Sequence, residues 1–395
     1  MKLGVSTGGR YHRVGEEYYT STSFHAEMWK ECLEVFDEVL LTDRVVYSDK
    51  VELEEKPVLT ESIRLLEYPN YDGAWSMLRV LPRIFWRARK YTRQADVWHL
   101  HCVHFETFCT WFWIWLYRIP YSLELRGDQD WDVVYLSIRG VRFPRLVSLV
   151  VRTILRLQMT RPKAIISVSK SLLRQFGNRN NCRLYNASNA RIPSEIYQKE
   201  RVWKNDSACR TIVCSGRLEA QKNPIGTVKA LAKLDEKGFR NWKFVWIGDG
   251  PLKGEFQRLA GEYGLSEKIE VAGFVPWSEV FEILCDADLF LLNSVCEGLS
   301  RAVLEAMACA LPVIGTTVGG WEEILSHEDA VPRMEDDILA EKLFEVLTNP
   351  NRMSEMSRRN LKTAKGYSKE ILRARKVAFY NELRTIATDL KEKKT

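Results

Sequence analysis

Along the chain, short runs of consecutive apolar residues alternate with longer stretches whose apolar positions recur every three or four residues. Runs that are apolar throughout suit strands buried on both faces, and such strands belong to parallel sheets covered by helices. In the first half this pattern predicts strands at Lys2–Ser6, Glu38–Thr42, Val97–Cys102, Tyr121–Leu125 and Ala164–Val168. In the second half it predicts Thr211–Cys214, Lys243–Ile247, Ile269–Ala272, Leu289–Leu292 and Pro312–Gly315. Helices are predicted between them, including Pro224–Lys237, with proline in its first turn and Gly238 at its end, and Pro251–Tyr263, closed by Gly264.

A chain of 395 residues is long enough for two domains of ordinary size. Pro193–Ser207 lacks periodicity and separates the two repeating halves, so it reads as the linker. The expected organisation is residues 1–193 as one α/β domain and residues 194–368 as a second. Residues 369–395 contribute a C-terminal helix, Lys369–Ile386, that crosses back to the first domain.

Composition narrows the picture. Apolar residues make up 46% and charged residues 28%, as in soluble globular proteins, which excludes a disordered tail protein or a multi-span membrane protein. The nine cysteines are scattered and form no Cys-x-x-Cys pair, so they read as buried small side chains in a reducing compartment. Met1-Lys2 runs directly into the first strand, leaving no room for a secretory leader. The most apolar window, Thr107–Tyr117, is shorter than the ~20 residues of a bilayer span and reads as a core helix or an interfacial segment.

Charge is unevenly placed. Residues 133–194 hold twelve basic and no acidic residues, so the rest of the chain carries −6 against the whole chain's +6. Residues 143–157 mix arginines with aliphatics at helical spacing, as a helix lying on an anionic membrane does. Arg79, Arg83, Arg87 and Lys90, with Trp86, form a second such patch. Two other readings stand beside this one: helices packed in the domain with arginines reaching to solvent, and a nucleic-acid surface, which the interleaved aliphatics disfavour.

The candidate chemistry lies in the second half. Glu297 and Glu305 are eight residues apart, which on one continuous helix means ~12 Å along the axis and a rotation of ~80°. If Gly298 turns the chain and a helix starts near Ser300, Glu297 sits in the loop and Glu305 in the helix, so the two meet different ends of a long ligand. The first-turn amides of that helix suit a phosphate. Taken alone, the pair is equally a loop charge and a solvated helix residue. Arg217 and Lys222 follow the carboxyl end of a strand, where open α/β sheets bind ligands, and paired cations there suit a pyrophosphate. Gly248 ends the next strand, and Phe274 and Val275 follow the one after, where exposed backbone can hold a base edge.

The ordered series SGRLEAQKNP, IGDGP, VAGFV, Ser294…Glu297-Gly298-Leu299-Ser300…Glu305-Ala306-Met307-Ala308, and Leu311-Pro312-Val313-Ile314 with Val318-Gly319-Gly320 resembles the retaining glycosyltransferases of family 4, the group 1 glycosyl transferases. The resemblance implies the GT-B fold, two Rossmann-like domains whose parallel sheets face each other across a cleft. It implies that Glu297 contacts the transferred sugar, Glu305 the ribose and Val275 the base, with Arg217 and Lys222 neutralising the diphosphate. It places Gly248, Phe274, Ser294, Gly298, Leu299 and Ser300 in the donor site. In the first domain Gly8-Gly9 resembles the family's glycine-rich loop, Asp96-Val97-Trp98-His99-Leu100-His101 its Asp-x-x-His-x-His strand, and Arg126-Gly127-Asp128 stands where many members carry a histidine. Gly9, His101 and Arg126 are therefore the acceptor-side candidates.

The function this implies is transfer of a hexose or related sugar from a UDP-, GDP- or ADP-sugar, with retention and without a metal or other cofactor. The acceptor would be a glycan or lipid-linked glycan of lipopolysaccharide, capsule or exopolysaccharide, handled on the inner face of the cytoplasmic membrane, with no nucleic-acid partner. A dinucleotide oxidoreductase would need a Gly-x-Gly-x-x-Gly turn after a first strand, which neither half supplies. The alternative is a noncatalytic membrane-surface or nucleotide-sugar-binding scaffold.

Overall fold

The computed structural model describes residues 1–21, 24–51, 55–127, 132–176, 182–204 and 209–393. Asp128, Arg179, residues 205–207 of the linker, and Lys394 and Thr395 lie outside them.

The first sheet contains β1 (Lys2–Ser6), β2 (Arg10–Val14), β3 (Glu17–Thr20), β4 (Glu38–Tyr47), β5 (Lys56–Pro57), β6 (Ile63–Pro69), β7 (Val97–His101), β8 (Tyr121–Leu125), β9 (Ala164–Ser167) and β10 (Arg183–Asn186). Its parallel core runs β6-β4-β1-β7-β8-β9-β10, and β2, β3 and β5 extend it from the far half of β4. The predicted strands lie within one or two residues of β1, β7, β8 and β9. β4 runs five residues beyond its predicted end because its carboxyl half pairs with β2 on one side and β6 on the other. The β2–β3 hairpin is polar at its ends and turns at Gly15 (φ 61°), so its two buried tyrosines, Tyr11 and Tyr18, are too short a signal to read as strands. The helix Phe105–Leu116 buries Trp111, Trp113 and Ile114, which decides for a core helix over an interfacial one.

The second sheet contains β11 (Arg210–Ser215), β12 (Trp242–Ile247), β13 (Ile269–Gly273), β14 (Leu289–Leu292), β15 (Val313–Thr316) and β16 (Ala330–Val331), parallel throughout in the order β13-β12-β11-β14-β15-β16. This is the doubly wound arrangement whose order reverses beside β11, and ligands bind at the carboxyl edge of such a switch. Both sheets have that edge toward one cleft, the GT-B arrangement. The chain enters the second domain early: Gln198 donates to the Ala308 carbonyl at 3.0 Å, and the Trp203 indole to Asp288 at 2.8 Å.

After the second domain, Ser368 caps a helix, Lys369–Glu392, that runs back along the first sheet. Phe379, Tyr380, Leu383 and Ala387 complete the core formed by Leu3, Val5, Val97 and Ile166. Arg373 forks onto Glu34 at 2.7 and 3.2 Å, and Lys391 meets Asp96 at 2.6 Å. Among the described residues no helix is long and apolar enough to cross a membrane. Because Phe379 is fully buried beside His99 and Tyr185, Phe379→Ala is expected to remove about 3–5 kcal/mol from the stability of the first domain, read as a lowered urea midpoint.

Candidate functional site

The cleft has a volume of about 890 Å³ and is lined from the second domain by Gln221, Trp277, Glu297, Gly298, Arg301 and Glu305, and from the first by Arg126 and Gly127. At Gly298 the two domains meet backbone to backbone. A Cβ on Gly298 would lie 1.7 Å from the Arg126 carbonyl oxygen, and one on Gly127 would lie 3.4 Å from the Gly298 nitrogen. On the other side Gly319, at φ 58°, brings its Cα so close that a Cβ would sit 2.2 Å from the Glu297 carbonyl, and the Gly320 amide donates to the Gly298 carbonyl at 2.7 Å. The loop carrying Glu297 is therefore held between β8's exit and the Gly319-Gly320 turn.

The helix beyond this loop, Arg301–Ala308, has Ser300 as its N-cap, so Glu297 stands in the loop and Glu305 one and a half turns in. The Ser300 hydroxyl is buried without a hydrogen-bond partner among the described residues. The first-turn amides of the helix have no intrahelical acceptor.

Glu297 Oε1 accepts from Lys222 Nζ at 2.5 Å and from the Ser294 hydroxyl at 2.8 Å. Burial pulls the Lys222 ammonium down, but the Glu297 carboxylate against it leaves its pKa above the ordinary lysine value. Lys222 is itself placed by Gly216, where a Cβ would meet its Cε at 2.7 Å. Arg217 is exposed, is not among the residues that line the cleft, and has no side-chain partner among the described residues. Gly248 owes its glycine (φ 135°) to the Gly216 carbonyl, 2.2 Å from where its Cβ would be, so it sets the height of the Arg217 loop. Phe274 is exposed and Val275 half-buried at the exit of β13, and neither lines the cleft beside Glu297.

Burial raises the Glu305 carboxyl above its usual range, while Arg301, the Trp277 indole N–H and Lys222 pull the other way. Trp277 lies outside the motif series, and Gln221 lies within SGRLEAQKNP beside Lys222 but is not among the sequence candidates. Gln221 accepts from the Val295 amide at 2.8 Å and donates to the Cys296 carbonyl at 3.0 Å, fixing the loop before Glu297.

The acceptor-side candidates separate. Arg126 lines the cleft. His101 is buried beneath it, its Nε2 3.0 Å from Glu124 and its ring beside Phe24 and Trp29. Gly9 is turned away: its amide donates to Thr7 Oγ1 at 3.0 Å and Asp43 Oδ1 at 3.2 Å, so it has no free N–H for a ligand, and it does not line the cleft. Among the described residues His99, His101 and Glu124 form one group whose ligand atoms lie within 4.8 Å of one another, close enough for a metal ion. Glu124 is already compensated by Arg126, whose Nε donates to it at 2.7 Å, and that fixed charge competes with a cation.

Residues 195–363 match the profile of the glycosyl transferases group 1. The second domain is thus similar to this family. The phosphatidylinositol N-acetylglucosaminyltransferase gpi3 subunit of Schizosaccharomyces pombe is 34% identical over 108 residues, 27% of this chain and 24% of that one. WcaL of Escherichia coli, named as a glycosyltransferase of colanic acid biosynthesis, is 33% identical over 141 residues, 33% of this chain and 34% of WcaL. The chain thus matches a quarter to a third of the length of these relatives. Over both domains, sucrose-phosphate synthase from Thermosynechococcus elongatus superposes with a TM-score of 0.68 at 14% identity, covering 98% of this chain and 99% of that one. The match of both domains confirms the GT-B fold.

Gly298→Ala is expected to force the two domains apart, because the added methyl would lie 1.7 Å from the Arg126 carbonyl oxygen, a backbone atom that no rotamer change can move aside. A lowered melting temperature and a larger radius of gyration in small-angle scattering are the readouts; an unchanged value of both would contradict the contact.

Proposed function

We propose that this glycosyltransferase moves a sugar, with retention and without a metal, from a nucleoside diphosphate to a hydroxyl of a growing surface glycan carried on a lipid. The observation that carries the reading is the Lys222–Glu297 pair at the start of the Arg301–Ala308 helix. A carboxylate and an ammonium held together there fit a polyol and a leaving phosphate side by side. Glu297 accepts from hydroxyls of the transferred sugar, and Glu305, eight residues on, from those of the ribose. Val275 presents backbone to the base.

The bond from C1 of the sugar to the diphosphate oxygen breaks, and the charge that develops on that oxygen is the chief demand. Arg217, Lys222 and the amides that open the helix stabilise it in place before the reaction starts, which is the arrangement that lowers such a barrier most. The acceptor hydroxyl forms the new bond on the same face of C1, and the departing diphosphate is the base that takes its proton. These fixed positive groups supply the charge that a metal ion supplies in other phosphate sites.

The lipid-linked acceptor is supported by the first domain's surface. On the helix Pro144–Gln158 and the residue before it, Phe143, Leu146, Leu149, Val150 and Leu157 are exposed, between Arg142, Arg145 and Arg156, which have no carboxylate partner among the described residues. The helix Gly73–Tyr91 exposes Trp75, Leu78 and Trp86 among Arg79, Arg83 and Arg87. An apolar row with an arginine margin suits the headgroup layer of an anionic membrane. The gpi3 subunit is named for transfer to a phosphatidylinositol, a class of acceptor that fits this surface, and WcaL for colanic acid biosynthesis.

Two measurements test the reading. Slow hydrolysis of a nucleotide sugar is expected in chelator-treated buffer, with the nucleotide chosen by thermal shift among UDP, GDP and ADP. Glu297→Ala or Lys222→Ala should reduce it about 100-fold or more; hydrolysis untouched by both changes would sink the proposal. Vesicles containing anionic lipid should sediment the protein at low salt and release it at high salt, and Leu146→Glu with Leu149→Glu should abolish binding. Failure of the wild type to bind at low salt would remove the membrane from the reading.

A further inference from the structure

Beneath the first-domain wall of the cleft lies a network of side chains that the transfer reaction as described does not use. Glu124, at the end of β8, is saturated: it accepts from His99 Nε2 at 3.1 Å, from Arg126 Nε at 2.7 Å and from Asn189 Nδ2 at 3.4 Å, and His101 Nε2 lies 3.0 Å away. Asn189 passes the chain on, its Oδ1 accepting from Lys376 Nζ at 3.0 Å. Lys376 comes from the crossing helix, so three separate elements meet here.

The charges do not balance. Glu124 answers Arg126, and Glu31, the other carboxylate near Lys376, lies 3.9 Å from Arg191. His101 adds nothing, since burial, with Arg126 beside it, pushes it down to about 3 and keeps it neutral. Lys376 is left half-buried with a neutral amide as its hydrogen-bond partner, and burial lowers its pKa. Arg126 keeps one guanidinium nitrogen buried with no acceptor among the described residues. A desolvated cation without a counter-ion is unfavourable to folding. Both Arg126 and Lys376 line the cleft that Glu297 and Gly298 line from the opposite side.

We infer that Arg126 and Lys376 form a subsite for an anionic group, a carboxylate or a phosphate, carried by one of the two sugars that meet at Glu297. This rests on the glycosyltransferase reading and adds the class of substrate. The Arg126 carbonyl touches Gly298, the neighbour of Glu297, and Arg126 lines the same cleft as both. The anion comes from one of two sources, a uronic acid as the transferred sugar or a phosphate on the acceptor.

The full-length protein separates them by titration calorimetry. UDP-glucuronate against UDP-glucose tests the donor, or GDP-mannuronate against GDP-mannose if GDP is the nucleotide that binds. Glucose 6-phosphate against glucose, on enzyme saturated with the nucleoside diphosphate, tests the acceptor, and decides alone if ADP is the nucleotide. In one of these pairs the anionic member is expected to bind at least tenfold more tightly, and Lys376→Met to bring the pair within twofold. Lys376→Met should melt no lower than the wild type, as removal of an uncompensated cation implies; Lys376→Gln serves as the second variant if it does. The inference is overturned if the wild type prefers neither anionic ligand, or if the preference survives both substitutions. If UDP, GDP and ADP all fail to raise the melting temperature, the glycosyltransferase proposal itself falls and this one with it.

Discussion

The site depends on one contact between backbones. The segment from Glu297 to Ser300 passes between the Arg126 carbonyl and the Gly319-Gly320 turn with no room for a side chain on either flank. Protein interiors are packed too tightly for such a segment to shift independently of its neighbours, so the contact turns the relative position of two domains into the position of one carboxylate. Arg333 reinforces it, donating to Asp132 of the first domain at 3.0 Å and to the Val295 carbonyl at 2.7 Å. The inter-domain seam and the candidate site are therefore the same piece of structure.

Within that frame, electrostatics is arranged in two tiers. On the second-domain side Lys222 and Glu297 neutralise one another, so this buried pair carries no net charge. On the first-domain side the network around Glu124 ends in excess positive charge. The Lys222–Glu297 pair is thus balanced, and the group around Glu124 is not.

How far the sequence foretold this differs between the halves for a physical reason. In the second domain the motif residues are contiguous and sit at strand ends, so Ser300 capping a helix between Glu297 and Glu305 could be read from local chemistry. The pairing of Lys222 with Glu297 could not, because 75 residues separate them and only the order of β11 and β14 in the sheet brings them together. The glycines of Val318-Gly319-Gly320 were visible as a motif, but their reason, the carbonyl of Glu297, is tertiary. In the first domain Gly9 is a candidate through the resemblance of Gly8-Gly9 to the family's glycine-rich loop. What the sequence hides is Asp43, 34 residues on, already occupying its amide. His101, an acceptor-side candidate by its place in the Asp-x-x-His-x-His strand, is a core histidine covered by Phe24 and Trp29.

The crossing helix joins these observations. It buries Phe379 and Leu383 in the first domain's core, although the chain reaches it only after completing the second domain. A helix tied to the first sheet by its core and to the second domain by its connection restrains the two bodies. The contact at Gly298 is held from its far side as well as at its centre. The same helix brings Lys376 to Asn189, so the element that fixes the geometry also completes the charge of the cleft wall. A change in how this helix seats would alter domain position and subsite charge together, which makes the C-terminal segment part of the site despite its distance in sequence from every glycosyltransferase motif.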